Sequence, residues 1–533
     1  MTLLSYLRDS WQHLPLLCAG DYEYTICRMM SVGEGDFEHF GPSLSVQVKT
    51  EDPNDPNSTH GVFFNRGLTG AQYVKKFGSH MKYHLCNKFG DQVWKQVINP
   101  RKLDPTTSKE AREWLSRGLE EALIGFILQA KDPNYRLLGA VYEFTHAESI
   151  DAFAKAVERG VDVKIVRHCK GSYRPMKDKN GGLIKEWIPD STTDLASKAI
   201  DSQSFAKLED AHKWQHGTFI ERRHASGISH NKFIILVCKN KPLQVWTGST
   251  NFTDGGIYGQ LNVGHIVRDK RVALQYQQYW TSLSKDIPGR RHAGGDGIQP
   301  MDVRNEKLQP DLSGPLPSQS IKVMFSPRPT AKMLDWFAGR VGEAKTIHFT
   351  AAFGVSQSIA RVLNGSAAGV SSNALRRSPR LLKRASNRDG CLRYVLLDNK
   401  PSLKTSQKLH QRKPGAVDYY DFRSNELNKI AFGALLDDGA SSEDESLTGL
   451  NTFVDFVHTK VLLVDALSDE PLVVTGSANF SQASLEKNDE NMLFVKGKLG
   501  VRVFYSRQCF MDTTKTDQSA HVCQETRALR TST

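Results

Sequence analysis

Two stretches of the chain, SHNKFIILVCKNKPLQVWTGSTNFT and FVHTKVLLVDALSDEPLVVTGSANFS, carry one polar skeleton. His230, Lys232, Gly248, Ser249 and Asn251 recur as His458, Lys460, Gly476, Ser477 and Asn479, each 228 positions later and without a gap. A skeleton repeated at one fixed offset means two copies of one folding unit, and no other feature limits the fold as much. One element fails to repeat: Asp465 in the second copy has Val237 at its place in the first.

The likeness extends beyond the motif. SKEAREWLSRGLEEAL and TAKMLDWFAGRVGEAK share helical spacing, with Trp114 and Trp336 in like places. In the first, Trp114, Leu115, Leu119 and Leu123 fall on one side. YRLLGAVYEFT, then ESIDAFAKAVERG closed by Gly160, then VDVKIVRH, read as strand, helix, strand. Such a unit predicts a parallel pair with a right-handed crossover. TIHFTAAFG, SQSIARVLNG and CLRYVLLDN repeat the series. The fold class expected is therefore α/β in two repeats, over 107–295 and 321–511, joined by a Gly/Pro-rich linker at 296–320. Ahead of them, GDYEYTICRM and PSLSVQVKTE alternate like half-buried strands. Residues 1–60 thus read as part of a β-sandwich, a domain that needs about 100 residues, so either the module is incomplete here or its strands pack against the rest. Residues 61–106 read as an irregular connection, DDGASSEDES as an exposed acidic loop, and the polar tail 512–533 as disordered.

Strand alternation puts His and Lys, two apart, on one face. A second strand, QVWTG or LVVTG, then delivers a Gly-Ser-x-Asn turn. Glycine permits close backbone approach, Ser and Asn offer short polar groups, and Lys supplies a point charge. Histidine is a nucleophile or a proton carrier. These are the parts of a phosphate-ester site: one His attacks phosphorus, and the other protonates the leaving oxygen and then activates water. The lysines and Ser/Asn groups stabilise charge on the non-bridging oxygens. No metal or other cofactor is expected, because the sequence has no metal-ligand spacing and its eight cysteines form no C-x-x-C pair. Glu143 and Thr350 end the first strands of the two halves, where either a cleft role or capping would suit them. TDGGIYGQ (253–260) reads as a loop beside the first motif.

The pattern H-x-K-x4-D followed by G-S-x-N resembles the phospholipase D superfamily over residues 107 to 510. TGSANFS with NDEN is most similar to the branch holding the bacterial endonuclease and the mitochondrial cardiolipin hydrolase, whose members resemble one half of this chain and pair as dimers. The resemblance implies a mixed sheet flanked by helices in each repeat, a pseudo-twofold between them, and a phosphohistidine intermediate. With both halves in one chain, no homodimer is needed to complete the site. By the same likeness His230, Lys232, His458, Lys460, Asp465 and Glu490 would be catalytic, and Ser249, Asn251, Asn262, Ser477 and Asn479 would bind substrate. Glu490 stands where the family has a His-orienting carboxylate, and Asn262 lies 228 before it. The expectation drawn is that each half orients its own histidine. His230, backed by an amide, would then attack as the neutral ring, and His458, backed by Glu490, would be the acid.

Charge narrows the partners. Residues 371–413 hold twelve Lys/Arg against Asp389 and Asp398, which is +10 of the chain's net +12. This local patch, with an insertion at 371–389, is a candidate surface for nucleic acid or an anionic membrane. It has no interleaved aromatics for base stacking. No run of 18 apolar residues exists, and the N-terminus lacks a secretory pattern, so a cytoplasmic location is expected. The leading expectation is hydrolysis of a phospholipid headgroup ester. The alternatives are a nuclease using the same chemistry, a synthase passing a phosphatidyl group to another alcohol, and a binding scaffold with a degenerate first half.

Overall fold

In a computed structural model of the chain, the residues described are 52–66, 100–177, 183–202, 219–290, 298–365, 391–398, 401–433 and 457–498. Short segments within 20–50, and 76–77, 83–84, 95–96 and 501, add to these. The insertion 371–389, the acidic loop and the tail lie outside them.

Two seven-stranded sheets dominate. The first runs Phe219–Arg222, Asp162–His168, Tyr135–Val141, Lys232–Cys238, Lys241–Gly248, Val263–Val267, His60–Phe64. The second runs Ser320–Ser326, Glu490–Lys496, Leu472–Gly476, Val461–Val464, Thr346–Ala351, Leu392–Leu397, Asn428–Phe432. Taken from opposite ends, the two orders are equivalent strand for strand. In each, the strand–helix–strand unit gives the expected parallel pair, 135–141 with 162–168 and 346–351 with 392–397. The motif strands are antiparallel to the first member of each pair, so the sheets are mixed.

The strand that opens each sheet differs most from expectation. His60–Phe64 pairs with Val263–Val267, as Ser320–Ser326 pairs with Glu490–Lys496. The first sheet thus begins well upstream of residue 107. HGVFF is a short apolar run with no period of its own, and it stands some forty residues before the first helix. That helix is two, Pro105–Ser116 and Leu119–Leu128, broken where Arg117 and Gly118 are left-handed. Leu115, Leu119 and Leu123 are fully buried, as their spacing requires. Helix Met301–Leu308, with Met301 buried, occupies the stretch read as linker. Upstream, 20–26 pairs with 44–50 and 29–31 with 37–39 as two separate two-stranded ribbons.

Helix Lys270–Ser284 lies where the halves meet. Asp269 caps it, accepting Arg271 N at 2.7 Å and Val272 N at 3.1 Å. Val272, Tyr276, Tyr279 and Leu283 form its buried stripe. That stripe joins Phe233, Ile235 and Val237 of the first sheet to Val323, Phe325 and Leu493 of the second. A further shared cluster sets Phe64, Leu261 and Val263 against Leu396, Val461 and Val473. At about 1.5–3 kcal/mol for each fully buried large side chain, this common core binds the two repeats into one unit.

Candidate active site

Each motif lies at the centre of its sheet. Lys232 opens strand Lys232–Cys238 and Lys460 directly precedes Val461–Val464, so each histidine sits just before a strand buried on both faces. The adjoining strands end at Gly248 and Gly476, with φ of +134° and +155°. A Cβ there would stand 2.2 Å from Val263 O and 2.3 Å from Asn491 O, so only glycine lets the turn close on the next strand.

The serines of the turns face that same strand. Ser249 Oγ donates to Asn262 Oδ1 at 2.8 Å and accepts Val263 N at 3.0 Å. Ser477 Oγ accepts Asn491 N at 3.0 Å. The serines therefore brace the residues that orient the histidines.

The orientation is crossed between halves. His230 Nδ1 donates to Glu490 Oε2 at 2.8 Å, and His458 Nδ1 donates to Asn262 Oδ1 at 3.0 Å. Asn262 Nδ2 is fixed on Gly256 O at 2.9 Å, which settles its amide, and Asn488 Nδ2 donates to Glu490 Oε1 at 3.1 Å. This overturns the expectation that each half orients its own ring, and it places the carboxylate behind His230. The reason lies in the backbone. His230 N donates to Asp489 O at 2.9 Å, and His458 N donates to Leu261 O at 3.0 Å. Each histidine segment therefore runs beside the other half's orienting strand, bringing the two rings to 6.1 Å between centroids at 84°.

Both lysines are fully buried, and each donates to the carbonyl of its own motif histidine: Lys232 Nζ to His230 O at 2.8 Å, Lys460 Nζ to His458 O at 2.6 Å. Burial lowers Lys232 to about 7, against the pull of Glu490 and Glu143. Burial, and then Lys232, push Lys460 well below its ordinary value. Burial and the two lysines hold both histidines well below 6.5, so both rings are neutral. Burial raises Glu490 to about 7, with Lys232 opposing. Two buried lysines that an entering anion would help to protonate, beside neutral rings, make a pocket that favours an anion.

Not every expected residue lies there. Asp465, left-handed at φ 49°, accepts Lys345 N at 2.7 Å and Thr346 N at 2.8 Å. It caps the start of strand Thr346–Ala351 at the end of the sheet away from Lys460, so its role is structural; Val237 at the equivalent place is simply core. Thr350 is buried beside Val461. Glu143 does belong to the site: Asn251 Nδ2 donates to it, both lysines act on it, and burial raises it. At the equivalent place the second half has Phe353, 57% exposed, with Lys460 Nζ 5.8 Å from its ring centroid. Asn251 and Asn479 each keep a buried Oδ1 without a hydrogen-bond partner, an expense that suits a ligand site. The segment 253–260 is a helical turn, closed by Gln260 N to Gly255 O at 2.8 Å. Asn65 holds it, donating to Ile257 O and Gln260 O and accepting Asn262 N, each at 2.7 Å.

Several residues escaped sequence reasoning. His168 Nδ1 accepts Ser229 N at 3.4 Å while its Nε2 donates to Asp190 at 2.9 Å. Asp398 accepts Val457 N at 2.6 Å in the equivalent place. Asn491 Nδ2 donates to Asn231 Oδ1 at 2.9 Å across the halves. Glu120, His146 and Glu148, and separately His410, Asp418 and Asp421, bring ligand-type atoms within 4.8 Å. Arg101 and Arg112 already pair with Glu148, and Asp421 is taken up by His410 and Asp418 N.

Two α/β repeats around a shared, cation-lined pair of histidines define the class of fold and site. The sequence profile of the family described as cardiolipin synthase, PLD-like domain, matches residues 123–284 and 380–506, more than half of the chain. The protein belongs to this family, within the phospholipase D superfamily. Members of that superfamily are phosphodiesterases, and some are synthases. Similar solved structures include phosphatidylserine synthase from Haemophilus influenzae, at 10% identity and TM-score 0.43, covering 74% of this chain and 84% of that one. Yeast tyrosyl-DNA phosphodiesterase matches at 15% identity and TM-score 0.32, over 68% and 83%. Polyphosphate kinase from Porphyromonas gingivalis matches at 8% identity and TM-score 0.34, over 72% of this chain but only 46% of its own length. Among curated proteins no sequence match is found. No helix among the described residues is long and apolar enough to cross a membrane.

Proposed function

We propose that the protein is a phosphodiesterase that hydrolyses a phospholipid headgroup ester through a phosphohistidine, without a metal. The observation that carries this reading is the crossed pair: two neutral histidines, each anchored through Nδ1 from the other half, beside two buried lysines. Binding of the substrate anion lets His458 take a proton from solvent at Nε2, while its Nδ1–H stays on Asn262 Oδ1. His230 Nε2 then attacks phosphorus, and the bond to the leaving oxygen breaks as that oxygen takes the Nε2 proton of His458. Water then gives a proton back to His458, attacks phosphorus and frees His230. Glu490 supports the positive ring that forms on His230, the reverse of its expected place behind the acid. An amide behind His458 leaves that ring the weaker base and the readier donor. The lysines and the Asn479 amide stabilise the equatorial oxygens, while Asn251 holds Glu143, and the substrate's negative charge offsets the lysines that keep the rings neutral.

The basic segment 371–413 favours a second reading, nucleic acid as the diester. The test is a panel of labelled phospholipids, single-stranded DNA and a generic aryl diester, each with EDTA and again with added divalent ions. Release of a phospholipid headgroup in EDTA is the expected result. Cleavage of DNA alone would select the second reading. Turnover that EDTA abolishes and a divalent ion restores would end the metal-free mechanism, and inertness toward every diester would leave a binding scaffold.

A further inference from the structure

Two seams join the halves at the site, and they are not equivalent. Ser229 bridges Asp489 in one, and Val457 bridges Leu261 in the other. Asp489 and Leu261 therefore hold the same place, 228 residues apart. Each offers its carbonyl to a histidine N–H, and each stands directly before the residue that orients that ring. Leu261 fills its place as a buried apolar side chain. Asp489 fills it with a fully buried carboxylate, gripped in a fork by Arg222: Nε to Oδ2 at 2.8 Å and Nη2 to Oδ1 at 3.1 Å. Arg222 is also fully buried, and its Nη1 is tied to Asp286 Oδ1 at 2.9 Å and Ile287 O at 2.6 Å. At Leu261's place the second seam carries no charge; its buried carboxylate, Asp398, lies instead on Val457 N, where the first seam has His168, so the fold does not require an ion pair at this position. A buried ion pair is a poor source of stability against an apolar pair of the same shape.

On the reading that His230 is the nucleophile, we propose that Arg222 is a positioning residue for it. By clamping Asp489, Arg222 fixes one peptide that holds His230 twice, through the Asp489 carbonyl on its N–H and through Glu490 on its Nδ1. Only one of the two rings bonds to phosphorus, and it must keep its line of attack from adduct formation to adduct breakdown. The other moves protons alone and tolerates a looser seat. The clamp stands on the seam of the bonding ring.

The full-length double variant Arg222→Met/Asp489→Leu copies the apolar side chain at Leu261's place and removes the Arg222–Asp489 pair whole, leaving Asp286 to the His224 ring and the Arg223 and His224 N–H groups. Two readouts are taken: the rate of His230 adduct formation from an activated aryl diester by rapid quench, and the His230 Nδ1 proton resonance in histidine-labelled protein. With thermal unfolding near wild type, adduct formation should slow about 10²-fold, the cost of a small misplacement, the resonance should move, and the dependence on leaving-group basicity should stay unchanged. A folded double variant with wild-type rate and resonance overturns the proposal. Should it not fold, Arg222→Lys keeps the charge but loses the fork, and the same two readouts decide, with a smaller loss expected. The resonance needs no turnover. If wild-type protein cleaves no diester while the resonance still moves in the variant, the functional reading fails and the clamp stands.

Discussion

On the proposed mechanism the same ring does two jobs at His230 and His458, and the structural difference between them lies one hydrogen bond away, on Glu490 or Asn262. His230→Ala and His458→Ala should each remove nearly all turnover, because nucleophile and acid act as a unit. Glu490→Gln should lower the rate roughly 10²–10⁴-fold for good and poor leaving groups alike, since it now weakens attack instead of protonation. Peptide mapping after rapid quenching checks the assignment, with the adduct expected on His230; an adduct on His458 would reverse the roles. Burial also sets a pH signature. Glu490 is raised to about 7, so its contribution to stability is present below about 4.5 and is lost as pH rises to about 7. Lys232 is lowered to about 7, so its contribution is present above about 10.5 and is lost as pH falls to about 7. Glu120 is raised and the buried histidines are lowered over the same acid range, so the Glu490 limb is read as a difference: between about pH 5 and 7 the thermal stability of wild type relative to Glu490→Gln should fall as pH rises. The residues themselves were legible from the repeated skeleton, while their partnering was not. A spacing of 228 says which residues correspond, and says nothing about whether Glu490 reaches back to its own half or across.

Among the elements, those with a period of their own were legible: the helices with apolar stripes, the strand–helix–strand units and the motif strands. His60–Phe64 was not, because a five-residue strand with three large apolar residues in a row carries no period, and its partner Val263–Val267 lies some two hundred residues on. The turn glycine was read as close approach, and its geometry makes the reading quantitative. Gly476→Ala would force a Cβ to within 2.3 Å of Asn491 O at a left-handed φ, and should cost about 1–3 kcal/mol or more in unfolding free energy. Asp465→Ala separates the motif's structural member from its chemistry. It strips two backbone N–H groups of their acceptor and should cost roughly 1–3 kcal/mol in denaturant unfolding. Turnover per folded molecule should stay at the wild-type level, and a fall comparable to that of Lys460→Ala would restore Asp465 to the site.

On the scale of the molecule, the shared clusters around Tyr276, Phe325 and Leu493 make the halves one cooperative body. Either half expressed alone should show no sharp unfolding transition, and the whole chain a single one. The basic segment acts at this scale too. Deleting 371–389 should weaken binding to anionic vesicles and to DNA and flatten its salt dependence, with little effect on a small soluble diester. Unchanged affinity for both would make the segment a solvated insertion.

The crossed anchors make the order of the two repeats carry information that their contents alone do not. Swap the second repeat for a copy of the first, and both rings would lean on amides; swap the first for a copy of the second, and both would lean on carboxylates. Neither chain would hold one ring for bonding and another for proton transfer, although each would keep every histidine and lysine. Exchange of sequence between the repeats, which ordinarily keeps duplicated segments alike, would here erase the proposed division of labour while leaving every His-Lys and Gly-Ser-x-Asn set in place. A scan for H-x-K and G-S-x-N would pass such a chain as intact, because it does not read positions 262 and 490.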